Sequence, residues 1–308
     1  MKRTIFFLAV CCAVMSCTKD KTDYEAEIDT IVTEHNEFKE AFAINSEEYK
    51  ISIEALNGTF YKGYNEIRLK ITNTLTNAKV NASAVTFLPI ITQADGSTIS
   101  CPHRYNLQYM SDDSYFSGYS VFTAESNTNE SWQLYISFTV SNQTYTVKLP
   151  VTVQEQPNKN LNMTTFTGAD NEQYFIALIS PQKPNVAENE LIAGIYKFNK
   201  PTNSPPPGTF PDPSQFSYNE VSGYTLLLDP RMPEPSMGNH SSPNNKNLTQ
   251  QSDGLYHGVV NYTMTGNWTL NLIMLNENGQ ILKGTKVPGD FTPGVEGAKS
   301  ELYIDILF

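Results

Sequence analysis

Soft metal ligands crowd one short stretch of this sequence. Met232, Met237 and His240 all fall between Pro230 and Pro243. Thioether, thiolate and imidazole donors form the polarizable set that suits Cu(I). At this spacing the three side chains can converge in one loop. His257, at the start of the next apolar run, completes the set if that strand folds back. A weaker second set, Cys101, His103 and Met110, lies upstream. The competing reading is structural. Prolines and Gly238 make the Met/His segment a turn, and a methionine in a turn caps a core. A histidine at a sheet edge satisfies backbone groups, and Cys101 reads as a buried, inert thiol.

The elements that must position these residues are strands. Tyr49-Lys50-Ile51-Ser52-Ile53 and Ile67-Arg68-Leu69-Lys70-Ile71 alternate with the period of two that marks a half-buried strand. Ala84 to Ile91, Tyr119 to Ala124, Trp132 to Val140 and Tyr145 to Val153 follow, punctuated by Asn57-Gly58, Asp95-Gly96 and Ser141-Asn142. Gln154 to Asn162 reads as a linker. The pattern restarts at Tyr174 to Ile179, Leu191 to Phe198, Tyr224 to Leu228, His257 to Met264, Trp268 to Leu275 and Leu302 to Phe308, with Asn278-Gly279 as a hairpin signal. The expected fold is all-β: two antiparallel immunoglobulin-like β-sandwich domains, 48–155 and 163–308. Residues 199–216 are proline-rich and expected as an exposed loop with polyproline character.

The halves share a pattern. Tyr115-Phe116-Ser117-Gly118 leads to Trp132, and Leu255-Tyr256-His257-Gly258 leads to Trp268; Gly aligns with Gly and Trp with Trp. Both tryptophans read as sandwich core. A Met-bearing turn, His240-Ser241-Ser242-Pro243, an aromatic-x-Gly strand and a strand-opening Trp together resemble YtkA-like and FixH-like domains. The likeness is clearest over 224–275 and weaker over 87–136. It implies a small periplasmic or membrane-anchored sandwich associated with copper handling, with Met232, Met237 and His240 as ligands. The family's Met-x-Met is stretched here to Met232 and Met237. The first half has Leu88 and Ile90 near that place, so one site in the second half is favoured over two.

The amino terminus carries an address. Lys2 and Arg3 precede an apolar run from Thr4 to Met15, too short for an ordinary membrane-spanning helix. The run ends in Val14-Met15-Ser16-Cys17, which resembles the bacterial lipobox. The resemblance implies removal of residues 1–16 and lipidation of Cys17. The polar, acidic residues that follow are expected as a solvated tether over 17–47, preferred to a short helix on the loosely helix-spaced Ile28, Ile31, Val32, Phe38 and Phe42. Thr18 stands where an inner-membrane retention signal would place Asp. Lys19-Asp20 is similar to surface-export tethers of some Gram-negative lipoproteins, although Lys21 departs from their more acidic form. The expected location is the outer membrane, lipid-anchored, facing periplasm or surface. Cys11 and Cys12 leave with the signal, so Cys101 has no partner for an internal disulfide.

Charge narrows the functions. The formal charge is −11, and loss of Lys2 and Arg3 takes it to −13. Nucleic acid is therefore not an expected partner, because its binding needs a basic patch. HExxH, GxSxG, P-loop and dinucleotide fingerprints are all missing from the chain, and no enzyme is expected. Two readings remain. One is an envelope lipoprotein that binds or delivers copper, or hands it to an envelope protein partner, through the Met/His loop. The other is a metal-free binding or structural module that engages glycan or protein partners through exposed tyrosines and the proline-rich loop.

Overall fold

The computed structural model describes residues 37–157, 159–199 and 210–308. The expected signal segment, Cys17, the first part of the expected tether and the centre of the proline-rich stretch lie outside the described residues. The chain is all-β, with multiple antiparallel sheets in sandwich arrangement. Among the described residues no helix is long and apolar enough to cross a membrane.

The first half comprises β1 (Phe38–Ser46), β2 (Tyr49–Leu56), β3 (Phe60–Tyr61), β4 (Gly63–Asn73), β5 (Ser83–Thr92), β6 (Thr98–Ser100), β7 (Gln108–Met110), β8 (Tyr115–Phe122), β9 (Ser131–Val140), β10 (Gln143–Val151) and β11 (Val153–Gln154). Two sheets, β1-β2-β4-β8-β7 and β10-β9-β5-β6, face each other. Alternation explains how they meet. Ile67, Leu69 and Ile71 of β4 and Trp132, Leu134, Ile136 and Phe138 of β9 all point into one core, while their neighbours face outward. β3 and β11 form a short parallel pair.

β1 corrects the tether boundary. Residues 38–46, expected as part of a solvated tether, form the edge strand of the first sheet and pair with β2 from Phe38↔Leu56 to Ser46↔Tyr49. The register shifts between Glu40 and Phe42. A bulge inserts one extra residue, which breaks the period-two signal and hides the strand.

The second half comprises β12 (Met163–Thr167), β13 (Gln173–Ser180), β14 (Glu188–Asn199), β15 (Ser217–Glu220), β16 (Thr225–Met232), β17 (His240–Ser241), β18 (Lys246–Gln250), β19 (Tyr256–Asn261), β20 (Asn267–Leu275), β21 (Ile281–Lys283) and β22 (Tyr303–Leu307). Its main path runs β12-β13-β14-β19-β18-β16-β20-β21, with β15 on β14, β17 on β16 and β22 on β20. This is the first half's plan joined at one corner. β12-β13-β14-β19-β18 matches β1-β2-β4-β8-β7, and β20-β16-β17 matches β9-β5-β6. The corner is Thr225↔Thr249 with Leu226↔Leu248. In the first half the same corner is a lone bridge, Thr86↔Asn106.

The repeated residues hold matching places. Trp132 and Trp268 are both buried. Trp132 Nε1 donates to the Ala124 carbonyl at 2.9 Å, and Trp268 Nε1 donates to the Met264 carbonyl at 3.1 Å. Ala124 and Met264 stand at equivalent positions of the aligned sequence, so each indole ties its strand to the one before it.

The halves are packed together. Tyr119 and Val121 meet Met163, Phe175, Ala177 and Tyr196 in one buried cluster. Phe216, beyond the proline-rich loop, buries against Leu88 and Ile90 in another. Tyr119 Oη donates to Glu220 Oε1 at 2.9 Å, and the Tyr218 hydroxyl donates to the Ser100 carbonyl.

Candidate functional site

The Met/His loop is a strand hairpin. Met232 and His240 are register partners across β16 and β17, and Arg231 pairs with Ser241. Two successive turns join them. Met237 N–H donates to the Glu234 carbonyl at 2.9 Å, and His240 N–H donates to the Met237 carbonyl at 3.2 Å. Met232 lies in the second core at 1% exposure, and Met237 is partly buried against that core. The His240 side chain is exposed, with Nε2 2.9 Å from Thr263 Oγ1 and its ring 6.2 Å from that of Trp268. The fold thus brings Met232, Met237 and His240 onto one hairpin.

His257 is engaged elsewhere. Its Nδ1 lies 3.0 Å from Glu190 Oε1 and its Nε2 3.0 Å from Asp253 Oδ2. Burial works against the imidazolium, but the two carboxylates outweigh it and raise the pKa above the ordinary histidine value. Both ring nitrogens are occupied by carboxylates from β14 and the β18–β19 turn. His257 shares no side-chain partner with His240.

The upstream set is divided too. The Cys101 thiol is fully buried, with Sγ 3.3 Å from Ser120 Oγ. Burial pushes its pKa up to about 12, so it stays a thiol at neutral pH. His103 Nδ1 donates to the Cys101 carbonyl at 2.7 Å, and burial lowers its pKa to about 4. Met110 is exposed at the end of β7, paired with Tyr115. Among the described residues no group of three or more His, Cys, Asp or Glu side chains could hold a metal ion. A metal site on the hairpin would therefore depend on methionine sulfur.

Two cavities accompany these residues. One, of about 220 Å³, lies beside Trp268 and is lined by Glu234, Lys299 and Asp305 among others. Lys299 Nζ contacts Asp305 Oδ2 at 2.9 Å and Thr269 Oγ1 donates to Asp305 Oδ1 at 2.5 Å, while Glu234 Oε2 is buried without a hydrogen-bond partner.

The other cavity, of about 150 Å³, opens where the two halves and their linker meet. Phe38, Tyr61 and Tyr64 supply rings from the first half, and Ile179 and Gln182 close it from the second. Its walls are fixed by amides. Gln156 Nε2 donates to the carbonyls of Lys62 and Leu161 at 2.9 and 2.7 Å. Asn160 Nδ2 donates to the carbonyls of Pro181 and Gln182 at 2.9 and 2.6 Å, and Asn65 bridges Tyr61 to Gly63. Asn57 differs from these. Its backbone is left-handed, at φ 59°, and its Oδ1 is buried without a hydrogen-bond partner. A buried amide oxygen left unpaired costs about 1–3 kcal/mol.

Sequence reading missed this cavity. Asn57-Gly58 carries a turn signal and nothing more, and Tyr61, Asn160 and Ile179 come together only when the halves dock.

No protein-family model and no curated protein matches the chain. Among solved structures, a DUF4785 family protein from Legionella pneumophila is 9% identical, with a TM-score of 0.24 over 76% of this chain and 55% of its own. The present chain thus spans about half the length of that protein. A conserved domain protein from Bacillus anthracis is 10% identical, with a TM-score of 0.22 over 90% of this chain and 93% of its own. Likeness at that level carries no argument about function.

Proposed function

We propose that this chain is a lipid-anchored, non-enzymatic binding module of the bacterial envelope that works without a metal. The observation that carries the proposal is the cleft between the halves, a preformed cavity lined by Phe38, Tyr61, Tyr64 and Ile179. The division of the soft ligands supports it: Met232 is core, and His257 is held between two carboxylates. Anchoring rests on the lipobox-like segment ending at Cys17.

The second reading, copper handling, draws on one observation: Met232 and His240 are register partners, with Met237 in the turn between them. A thermal shift measurement with Cu(I) under reducing conditions separates the two. A ligand at a hundredfold excess over its Kd adds about 2.7 kcal/mol to the folded state. The metal-free reading expects no change in Tm and indifference to chelators. A Cu(I)-dependent rise in Tm that disappears in the Met237→Ala, His240→Ala double variant would establish the copper reading in its place.

A further inference from the structure

One end of the second half presents apolar side chains outward. Phe291, Val295 and Met264 are 47%, 56% and 38% exposed. They surround the β16–β17 hairpin. The Phe291 ring lies over Gly238, where an added Cβ would meet it at 3.6 Å. Met264 follows Thr263, whose Oγ1 is 2.9 Å from His240 Nε2. Val295 N–H donates to the Thr292 carbonyl at 3.0 Å and closes a turn. The backbone beneath them is pinned. Val287 is buried, Asn239 Nδ2 donates to the carbonyls of Pro288 and Asp290 at 3.3 Å, and Gly297 N–H donates to the Pro233 carbonyl at 2.7 Å. Phe291 and Val295 thus project from a stretch fixed on both sides. Apolar side chains gathered in this way mark an interaction surface, whereas scattered single ones do not.

The position of this end says what covers it. Lys159 lines the cavity beside Trp268 together with Pro233, Glu234 and Glu296, and the next residue, Asn160, lines the cleft with Phe38. The hairpin end and the first residue of β1 therefore adjoin the same linker. Twenty residues (37 − 17) separate Glu37 from Cys17, and a stretch of that length reaches about 70 Å at most. Anchoring at Cys17 would keep this end near the bilayer, at an effective concentration that lets a weak contact persist. Charge selects the kind of bilayer. Asp290 and Glu296 flank Phe291 and Val295, and the whole chain carries −11. An anionic surface would repel them, whereas zwitterionic headgroups offer ammonium groups.

We infer that Phe291, Val295 and Met264 form a lipid contact that seats the second half on a zwitterionic bilayer. The inference rests on the anchoring reading and deepens it. The anchor brings the molecule to the membrane, and the apolar end sets its orientation there. Such side chains enter about 5–10 Å into the boundary between headgroups and acyl chains.

Fluorescence quenching by acyl-brominated phosphatidylcholine tests it. The full chain with its anchor is placed in vesicles of phosphatidylcholine and phosphatidylethanolamine, and flotation with the vesicles reports the anchor. Phe291→Trp is the probe. Trp132 and Trp268 are buried, so wild type supplies the background. Leu75→Trp is the control, because Leu75 is 82% exposed beyond Asn73, at the end of β4 away from the cleft residue Tyr64. The emission added by Phe291→Trp is expected to fall by about half or more, from the depth of insertion, and that added by Leu75→Trp to stay. The quenching is expected to persist at about 0.5 M salt, where charge is screened within a few ångströms. If the chain floats but Phe291→Trp is quenched no more than Leu75→Trp, the inference alone falls, and a protein partner takes the place of lipid at this end. Quenching abolished by salt overturns it too, since the contact would then be one of charge. A chain that does not float removes the anchoring reading and the inference with it.

Discussion

Two histidines in this chain titrate in opposite senses, and each makes its own prediction. His103 is held neutral by burial, with a pKa lowered to about 4 from 6.5. The unfolded chain takes up that proton first, so the stabilisation is present above pH 6.5 and is lost as pH falls toward 4. The shift corresponds to about 3 kcal/mol across that interval. In chemical denaturation at pH 7 and pH 4.5, wild type should lose more stability than His103→Gln. Equal losses would remove His103 from the account. His257 runs the other way. Its pKa is raised by Glu190 and Asp253 despite burial. Its contribution is therefore complete below pH 6.5 and lost as pH rises through the elevated value. Both carboxylates are well exposed, so the pair is worth only about 0.2–1 kcal/mol. His257→Gln should be less stable than wild type at pH 6 and indistinguishable from it at pH 9. The residue types were legible in the sequence, but their partners were not. Glu190 lies 67 residues away on β14, and Asp253, though only four residues from His257, is turned toward it by the β18–β19 connection rather than by any local pattern.

At the scale of elements, alternation and turn signals carried most of the fold. β4, β9 and β10 alternate strictly and sit where their patterns place them. Asn278-Gly279 is indeed a tight turn, with Gly279 at φ 74°. β1 was not legible, because its bulge disrupts the period. The Met/His segment was legible as a turn but not as the paired ends of β16 and β17. The repeated glycines give the prediction at this scale. A Cβ on Gly258 would come within 2.6 Å of the Lys246 carbonyl oxygen and 2.9 Å of Leu248 Cγ. Backbone stands in the way, so β18 and β19 must part. Gly258→Ala should cost about 1–3 kcal/mol. At Gly118 the obstacle is the end of the flexible Leu107 side chain, which can turn aside. Gly118→Ala should cost less, and urea midpoints for the two variants will show whether the order holds.

At the scale of the whole molecule, the halves are coupled through the segment that follows the proline-rich loop. That segment leaves the second sandwich after β14, seats Phe216 on Leu88 and Ile90, places Tyr218 at the Ser100 carbonyl, and returns through Glu220 to Tyr119. Sequence reading had this loop as solvent-exposed, which is what prolines favour. The anchor at Phe216 was hidden because its receptor lies more than a hundred residues earlier in the chain. Removing a buried phenylalanine side chain costs about 3–5 kcal/mol. Calorimetry should show one transition for wild type and two for Phe216→Ala, because the variant loosens the contact while leaving both cores intact. A single transition in the variant would mean that the Tyr119–Tyr196 cluster couples the halves by itself.

The edge strand β1 has a mechanical consequence. Its first residue, Phe38, is also a wall of the cleft, so β1 begins at the lip of that cavity. An occupant gripping Phe38 on one side and Ile179 on the other would brace the strand against peeling from β2. With the anchoring proposed above, tension carried into β1 would in turn widen the opening and speed the occupant's escape. Hold and release at this surface would then answer to load as well as to concentration.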